Sequence, residues 1–290
     1  MTKQYPYGQG PVKWVSTDWL KDHLNDASLM ILDVQPDPHD YLKEHIPGSR
    51  YMSERLWRVP DKGVPGQYIP RAAAQIIVRR VGLVPDTPVV VYTGVGPVKG
   101  WGDGLEQTMM AYSLARFGHN NVYVLDGGIE KWKAEGRPLT QKYPKVKPSK
   151  FSAVVREEYF VQYREFKTIK DGDGVFLLDA RPSAAYQGQG PWIKPGHIPG
   201  AVNLPWSGLM DPGNTRLLKP DHEIQAMLDQ IGLTREKTVI CSCGTGREAT
   251  NEFVLLKFYL GFPNVRIYEG SFTEWVSHPR NPTVTGPNPR

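Results

Sequence analysis

At 290 residues the chain is long enough for two domains of ordinary size, each burying its own core. Hydrophobic residues make up 40% and charged ones 22%, and no apolar run approaches the roughly 20 residues of a membrane span, so a soluble globular protein without a membrane partner is expected. The net charge of +5 is spread along the chain and forms no basic tract, which argues against nucleic acid and for small anionic substrates.

The N-terminal stretch Met1 to Gly10 has no apolar core of the secretory type, so a cytoplasmic location is expected; a chain restarted at Met1 after signal removal stays open. Amphipathic periodicity predicts helices over Thr17 to Asn25, Arg71 to Val81, Glu106 to Phe117, Glu158 to Ile169, His222 to Ile231 and Glu248 to Leu260. Short apolar runs alternate with them, which predicts an α/β protein of βα units around mainly parallel sheets. The Pro- and Lys-rich stretch Lys142 to Ser149 reads as a linker, dividing the chain into 1–141, 142–149 and 150–290. The tail from His278, with prolines at 279, 282, 287 and 289, is expected to lie along the surface or to be disordered.

The two halves repeat one another. Ile31-Leu32-Asp33-Val34, Tyr41, His45-Ile46-Pro47-Gly48-Ser49, the Val89 run and Leu125-Asp126-Gly127-Gly128 before Trp132 recur in the same order. Their counterparts are Leu177-Leu178-Asp179-Ala180-Arg181, Tyr186, His197-Ile198-Pro199-Gly200-Ala201, the Val239 run and Tyr268-Glu269-Gly270-Ser271 before Trp275. Val89-Val-Val-Tyr-Thr-Gly-Val-Gly aligns with Val239-Ile-Cys-Ser-Cys-Gly-Thr-Gly at an offset of 150, so Thr93 stands where the second copy has Cys243.

Cys243 follows a β-branched run and precedes a glycine-containing loop and an amphipathic helix, where successive backbone N–H groups and a helix N-terminus converge on a thiol. Only one other cysteine occurs, Cys241, so neither a disulfide framework nor a structural zinc site is expected. On a strand the two thiols share a face about 6.6 Å apart, at roughly 3.3 Å per residue, and both are expected to be free. Gly100-Trp-Gly-Asp-Gly lacks the lysine-serine ending of a phosphate-binding loop and reads as a turn shaping the interdomain face. No cofactor or metal is suggested.

The ordered, paired motifs and the single strand-to-loop cysteine make the chain similar to the tandem rhodanese family of sulfurtransferases over nearly its whole length. The resemblance implies two similar domains, each a mainly parallel sheet flanked by helices, the first without the cysteine and the second holding a persulfide-forming Cys243. A small anionic sulfur donor and a thiol or cyanide acceptor are then the expected partners, with a protein persulfide as a further one.

In that reading the N–H groups of Gly244, Thr245, Gly246, Arg247, Glu248 and Ala249 cradle the sulfur and activate the thiolate, with Thr245 offering its hydroxyl. Arg247 is expected to attract thiosulfate at the rim, and Arg181 either to contact substrate or to pair with Asp179 or Glu248. Trp192 and Lys194 sit in an insertion that the first copy lacks, where Trp192 is expected to shield a persulfide and Lys194 to bind the anion, with plain surface packing as the alternative. His45 and His197 recur in both copies and so read as structural, with His45 kept as a cleft candidate.

Thiosulfate-using members carry a basic residue where this chain has Thr245, and mercaptopyruvate enzymes carry an arginine where it has Ala185. The charge at Arg247 favours thiosulfate over 3-mercaptopyruvate. A cysteine phosphatase or arsenate reductase is disfavoured, because Ala249 stands where its loop arginine belongs. A non-catalytic persulfide carrier remains as an alternative of another class.

Overall fold

A computed structural model describes residues 3–96 and 103–290. The first half contributes strands β1 (Val12–Val15), β2 (Met30–Asp33), β3 (Arg50–Tyr51), β4 (Arg58–Asp61), β5 (Val64–Tyr68), β6 (Val89–Tyr92) and β7 (Val122–Leu125). The second contributes β8 (Phe160–Val161), β9 (Val175–Asp179), β10 (Val202–Asn203), β11 (Met210–Asp211), β12 (Asn214–Leu218), β13 (Thr238–Ser242) and β14 (Val265–Tyr268). Two five-stranded parallel sheets result, ordered β1-β7-β6-β2-β3 and β8-β14-β13-β9-β10. The strand order is the same in both, so the duplication read from the motifs extends to topology.

The central strands β6 and β13 come from the two β-branched runs, and their Val89–Tyr92 and Val239–Ser242 segments are buried throughout, as a parallel sheet covered on both faces requires. Helices Thr17–His23, Arg71–Arg80, Leu105–Arg116 and Asp221–Gln230 lie where the periodicity puts them. The segment expected to be helical from Glu158 does not begin as a helix. A 3-10 turn at Glu157–Tyr159 leads into β8, and the helix is Tyr163–Ile169. Phe160 and Val161 are drawn into the sheet beside Ile267 and Tyr268 of β14, where their aromatic and β-branched side chains are buried.

The helix after Cys243 spans Ala249–Val254 and continues through a π-helical turn at Leu255–Tyr259, closed by Leu260 N–H donating to the Leu255 carbonyl at 2.8 Å. The wider turn accompanies the packing of Tyr259 against Tyr7 and Trp14 of the first half. Every residue of Leu105–Arg116 is buried, and this helix packs against Ala249–Val254 across the domain junction. The rings of Tyr112 and Phe253 meet there edge to face at 5.1 Å. One continuous core cluster therefore contains side chains of both sheets.

Two antiparallel hairpins, β4–β5 and β11–β12, cross the junction in opposite directions. Arg58 of β4 donates to the Thr245 carbonyl at 2.6 Å, and a Cβ on Gly66 would lie 3.0 Å from that same oxygen. In the reverse direction the Arg216 carbonyl of β12 accepts from Gly127 N–H at 2.9 Å. Each hairpin thus covers the strand-end loops of the other half.

The segment 141–156 contains no helix or strand, yet Phe151 and Ala153 are buried and Val154 N–H donates to the Phe117 carbonyl at 3.1 Å. The C-terminal tail is also held, as an extended strap: Val284 bridges His197, and Gly200 N–H donates to the Pro289 carbonyl at 2.7 Å. Residues 100–102 of the Gly-Trp-Gly-Asp-Gly turn lie outside the described residues. Among the described residues no helix is long and apolar enough to cross a membrane.

Because the core is shared, Phe253→Ala is expected to cost about 3–5 kcal/mol and to move the unfolding signals of both halves together. A denaturant titration followed by far-UV and near-UV signals checks this; loss confined to one half would show that the cores are separate.

Candidate functional site

Cys243 lies just past the carboxyl end of β13, where open parallel sheets place their ligand sites. Its side chain is wholly buried. Gly246 N–H donates to Sγ at 3.0 Å, and the N–H groups of Thr245 and Ala249 also favour negative charge on the sulfur. Gly246 has φ +82°, and a Cβ there would fall 2.5 Å from the Glu269 carbonyl, so the loop closes this tightly only with glycine at that position.

The loop is stitched to the turn after β14. Phe272 N–H donates to the Cys243 carbonyl at 2.9 Å, and Thr273 donates to the Gly244 carbonyl through both N–H at 3.0 Å and Oγ1 at 2.7 Å. Ser271 adopts φ 52°, a left-handed conformation that is strained for a residue with a Cβ. Its Oγ accepts from Cys243 N–H at 3.1 Å and lies 4.0 Å from Sγ.

The surroundings of the Cys243 thiol oppose its ionisation. Burial pushes its pKa well above the ordinary value, and the charge and hydrogen bond of the neighbouring Glu248 carboxylate push the same way, against the smaller pull of the Ala249 and Thr245 N–H groups. Of the N–H groups expected to cradle the sulfur, those of Thr245, Gly246 and Ala249 face it, and burial favours the neutral thiol within them. The side chain of Glu248, to which the sequence assigned no role at the sulfur, opposes ionisation.

Arg247 does not stand free at the rim. It contacts Glu54 at 3.0 Å, Asp103 at 2.6 Å and Glu106 at 2.9 Å, all in the first half. Glu54 and Asp103 balance the guanidinium and Glu106 fills its remaining donors, so the expectation that Arg247 draws in thiosulfate is corrected. Burial, only partly offset by Arg247, pushes Glu106 up to about 7. A cavity of about 340 Å³ adjoins this cluster, lined also by Gln35, Ser53 and Arg55.

Lys194 and His45 are likewise corrected. The Lys194 ammonium donates to the carbonyls of Pro279 at 2.7 Å and Asn281 at 2.6 Å, anchoring its loop to the C-terminal tail. His45 is buried against Tyr41, with its ring nitrogens bonded to the Tyr41 carbonyl at 2.7 Å and the Lys142 carbonyl at 3.2 Å. His197 repeats this arrangement on the Tyr186 and Asn288 carbonyls.

Arg181 is fully buried and paired with Asp179 at 2.6 Å. Trp192 is partly exposed and covers Gly244: a Cβ on that glycine would lie 2.7 Å from the indole.

Sequence reasoning passed over Ser271, Thr273, Arg58 and Glu252. Ser271 had one available signal, since the first copy has Gly128 in its place. There Ile129 N–H donates to the Thr93 carbonyl at 3.0 Å, as Phe272 does to Cys243, while the Thr93 hydroxyl turns to the Val34 carbonyl at 3.4 Å and to Glu106 at 3.3 Å. Glu252 is buried one turn after Glu248, beside the Cys241 thiol, and neither of its carboxyl oxygens has a geometrically sound hydrogen-bond partner among the described residues. Burial, with Asp179 and Glu248 nearby, pushes its pKa well up. Both cysteines are free.

The profile of the Rhodanese-like domain family matches residues 16–135 and 162–278. A Synechococcus elongatus protein provisionally named thiosulfate sulfurtransferase is 35% identical over 288 residues, covering 97% of this chain and 87% of its own. The sulfur carrier protein TtuD of Thermus thermophilus is 32% identical, covering 91% and 94%, and the 3-mercaptopyruvate sulfurtransferase of Escherichia coli is 28% identical, covering 90% and 94%. Among solved structures, the Escherichia coli 3-mercaptopyruvate sulfotransferase SseA aligns with a TM-score of 0.76 at 26% identity, covering 89% of this chain and 98% of that one. Wild-type EanB shares the fold, with a TM-score of 0.82 at 22% identity, covering 94% and 69%.

Two outcomes follow from the geometry. Arg247→Ala leaves three carboxylates facing one another at the junction and is expected to cost about 2–4 kcal/mol of stability, read by thermal unfolding; unchanged stability would return Arg247 to a substrate role. Iodoacetamide labelling of Cys243 is expected to rise about tenfold per pH unit between about pH 7 and 9, because the raised pKa keeps the thiolate scarce. Glu248→Gln lowers that pKa and speeds labelling at neutral pH, and a slower rate would reverse the sign assigned to Glu248.

Proposed function

Because this chain belongs to the rhodanese-like family, which it matches in both halves, we propose that it is a sulfurtransferase moving a sulfane sulfur from thiosulfate to cyanide or a thiol through a persulfide on Cys243. The observation that carries the reading is the Gly246 N–H donating to Cys243 Sγ at 3.0 Å at the end of β13, a position occupied by Thr93 in the first copy. Residues 150–290 then form the catalytic domain and 1–141 the one without the cysteine, joined by 142–149.

The Cys243 thiol first loses its proton. The thiolate attacks the outer sulfur of thiosulfate, the S–S bond of the donor breaks, and sulfite leaves with that electron pair. The anionic outer sulfur of Cys243–S–S⁻ then needs hydrogen-bond donors, and the loop N–H groups from Gly244 to Ala249 are the ones at hand. An acceptor takes the outer sulfur and returns the electron pair of the persulfide bond to Cys243 as thiolate.

Relatives named for thiosulfate support that donor, including the 35% identical one. Neither donor finds its family cation, since Thr245 stands where thiosulfate-using members carry a basic residue and Ala185 where mercaptopyruvate enzymes carry an arginine, so the preference for thiosulfate rests on those relatives. A second reading, as a persulfide carrier that receives sulfur from a protein, is favoured by the wholly buried, protonated Cys243 and by the 32% identity to TtuD.

Intact-protein mass after incubation with thiosulfate, and separately with 3-mercaptopyruvate, tests the reading. A gain of one sulfur with thiosulfate, removed by cyanide, absent in Cys243→Ser and retained in Cys241→Ser, is expected. Gain only with 3-mercaptopyruvate would change the donor, and gain with neither would leave the carrier reading.

A further inference from the structure

The cations packed on the Cys243 loop are almost all committed elsewhere. Arg247 is held by three carboxylates, Arg58 by the Thr245 carbonyl, and Arg116 by a two-pronged pair with Glu269 at 2.6 and 2.9 Å. Arg181 differs. Its Nε and Nη2 bind Asp179, and Nη2 also donates to the Gly196 carbonyl at 3.0 Å, but Nη1 is buried without a hydrogen-bond partner among the described residues. The side chain is 0% exposed, so no solvent replaces the missing acceptor.

Two rings cover that guanidinium. Phe272, whose N–H holds the Cys243 carbonyl, lies 4.1 Å from it and Trp192 lies 4.7 Å from it. The same indole covers Gly244, so one side chain screens both the unpaired N–H group and the residue next to Cys243. Trp192 Nε1 donates to Thr273 Oγ1 at 2.8 Å, and that hydroxyl donates onward to the Gly244 carbonyl at 2.7 Å.

The loop carrying Trp192 turns at a glycine and exposes its apolar tip. Gly188 has φ +124°, Gly190 packs directly on the indole, and Ile193 is 80% exposed. Lys194 fixes the other end to the C-terminal tail.

We propose that Trp192 is a gate over the sulfur site and that its departure uncovers Arg181 Nη1 to bind the oxyanion end of the sulfur donor. This rests on the sulfurtransferase reading for the identity of the anion, while the gate itself does not. It supplies a spare N–H donor where Arg247 and Lys194 are fully engaged, the charge of Arg181 itself being balanced by Asp179.

The test compares labelling of Cys243 by anionic iodoacetate and neutral iodoacetamide, with the site confirmed by peptide mass. Trp192→Ala is expected to speed iodoacetamide about tenfold and iodoacetate about fiftyfold, raising the iodoacetate-to-iodoacetamide ratio about fivefold. Trp192→Phe, which keeps a ring but loses the bond to Thr273, falls between. In Trp192→Ala/Arg181→Lys the single ammonium stays with Asp179, so the acceleration remains and the ratio returns to that of the unsubstituted protein. Unchanged rates in Trp192→Ala would overturn the gate, and a ratio that never rises, or that survives Arg181→Lys, would overturn the role of Arg181. Loading of the unsubstituted protein by thiosulfate and by 3-mercaptopyruvate is read separately by mass; failure with both alongside the expected labelling pattern would sink the small-molecule sulfurtransferase reading and leave the gate standing.

Discussion

The junction at Arg247 is the constraint on which the rest of the molecule depends. A guanidinium removed from bulk water is tolerable only with carboxylates around it, and here all three come from the opposite half of the chain. Arg247 is also the fourth residue after Cys243, so docking of the halves and closure of the cysteine loop are parts of one arrangement. The β4–β5 hairpin completes it from above through Arg58 and Gly66.

That arrangement explains the chemistry of the resting thiol. A buried sulfur loses hydration, and lost hydration penalises the thiolate more than a few backbone N–H groups restore. The N–H cradle is therefore better matched to a charge that forms during reaction than to one stored beforehand, the logic of a preorganised oxyanion site. A buried thiol kept protonated is also protected from oxidation, because the thiolate is the reactive form.

The duplication has been used unequally. Both halves keep the same sheet order, the same His-Ile-Pro-Gly turn pinned by an extended strap, and the same bond from the turn after the last strand to the residue at the cysteine position. They differ in the side chains at the centre. Thr93 directs its hydroxyl to Glu106, which also binds Arg247, so the copy lacking the cysteine helps hold the loop of the other. Ser271 keeps a left-handed backbone that Gly128 adopts without strain, and gains a hydroxyl beside the sulfur.

The sequence by itself determined the repeat, the class of fold, most helices and the place of Cys243, because these depend on local periodicity and on turn residues within a short span. Local pattern also misled at Glu158 to Val161, where a helical period continued into residues that a neighbouring strand claimed. Only the tertiary structure decided what the charged side chains do. Arg247 and Glu54 are 193 positions apart, and Lys194 and Pro279 are 85 apart. Nothing in the vicinity of either cation announces its partner, and a charge looks equally available in sequence whether or not it is later neutralised. Ser271 and the unpaired nitrogen of Arg181 were hidden for the same reason: hydrogen-bond satisfaction belongs to the packed molecule, where distant segments compete for each donor.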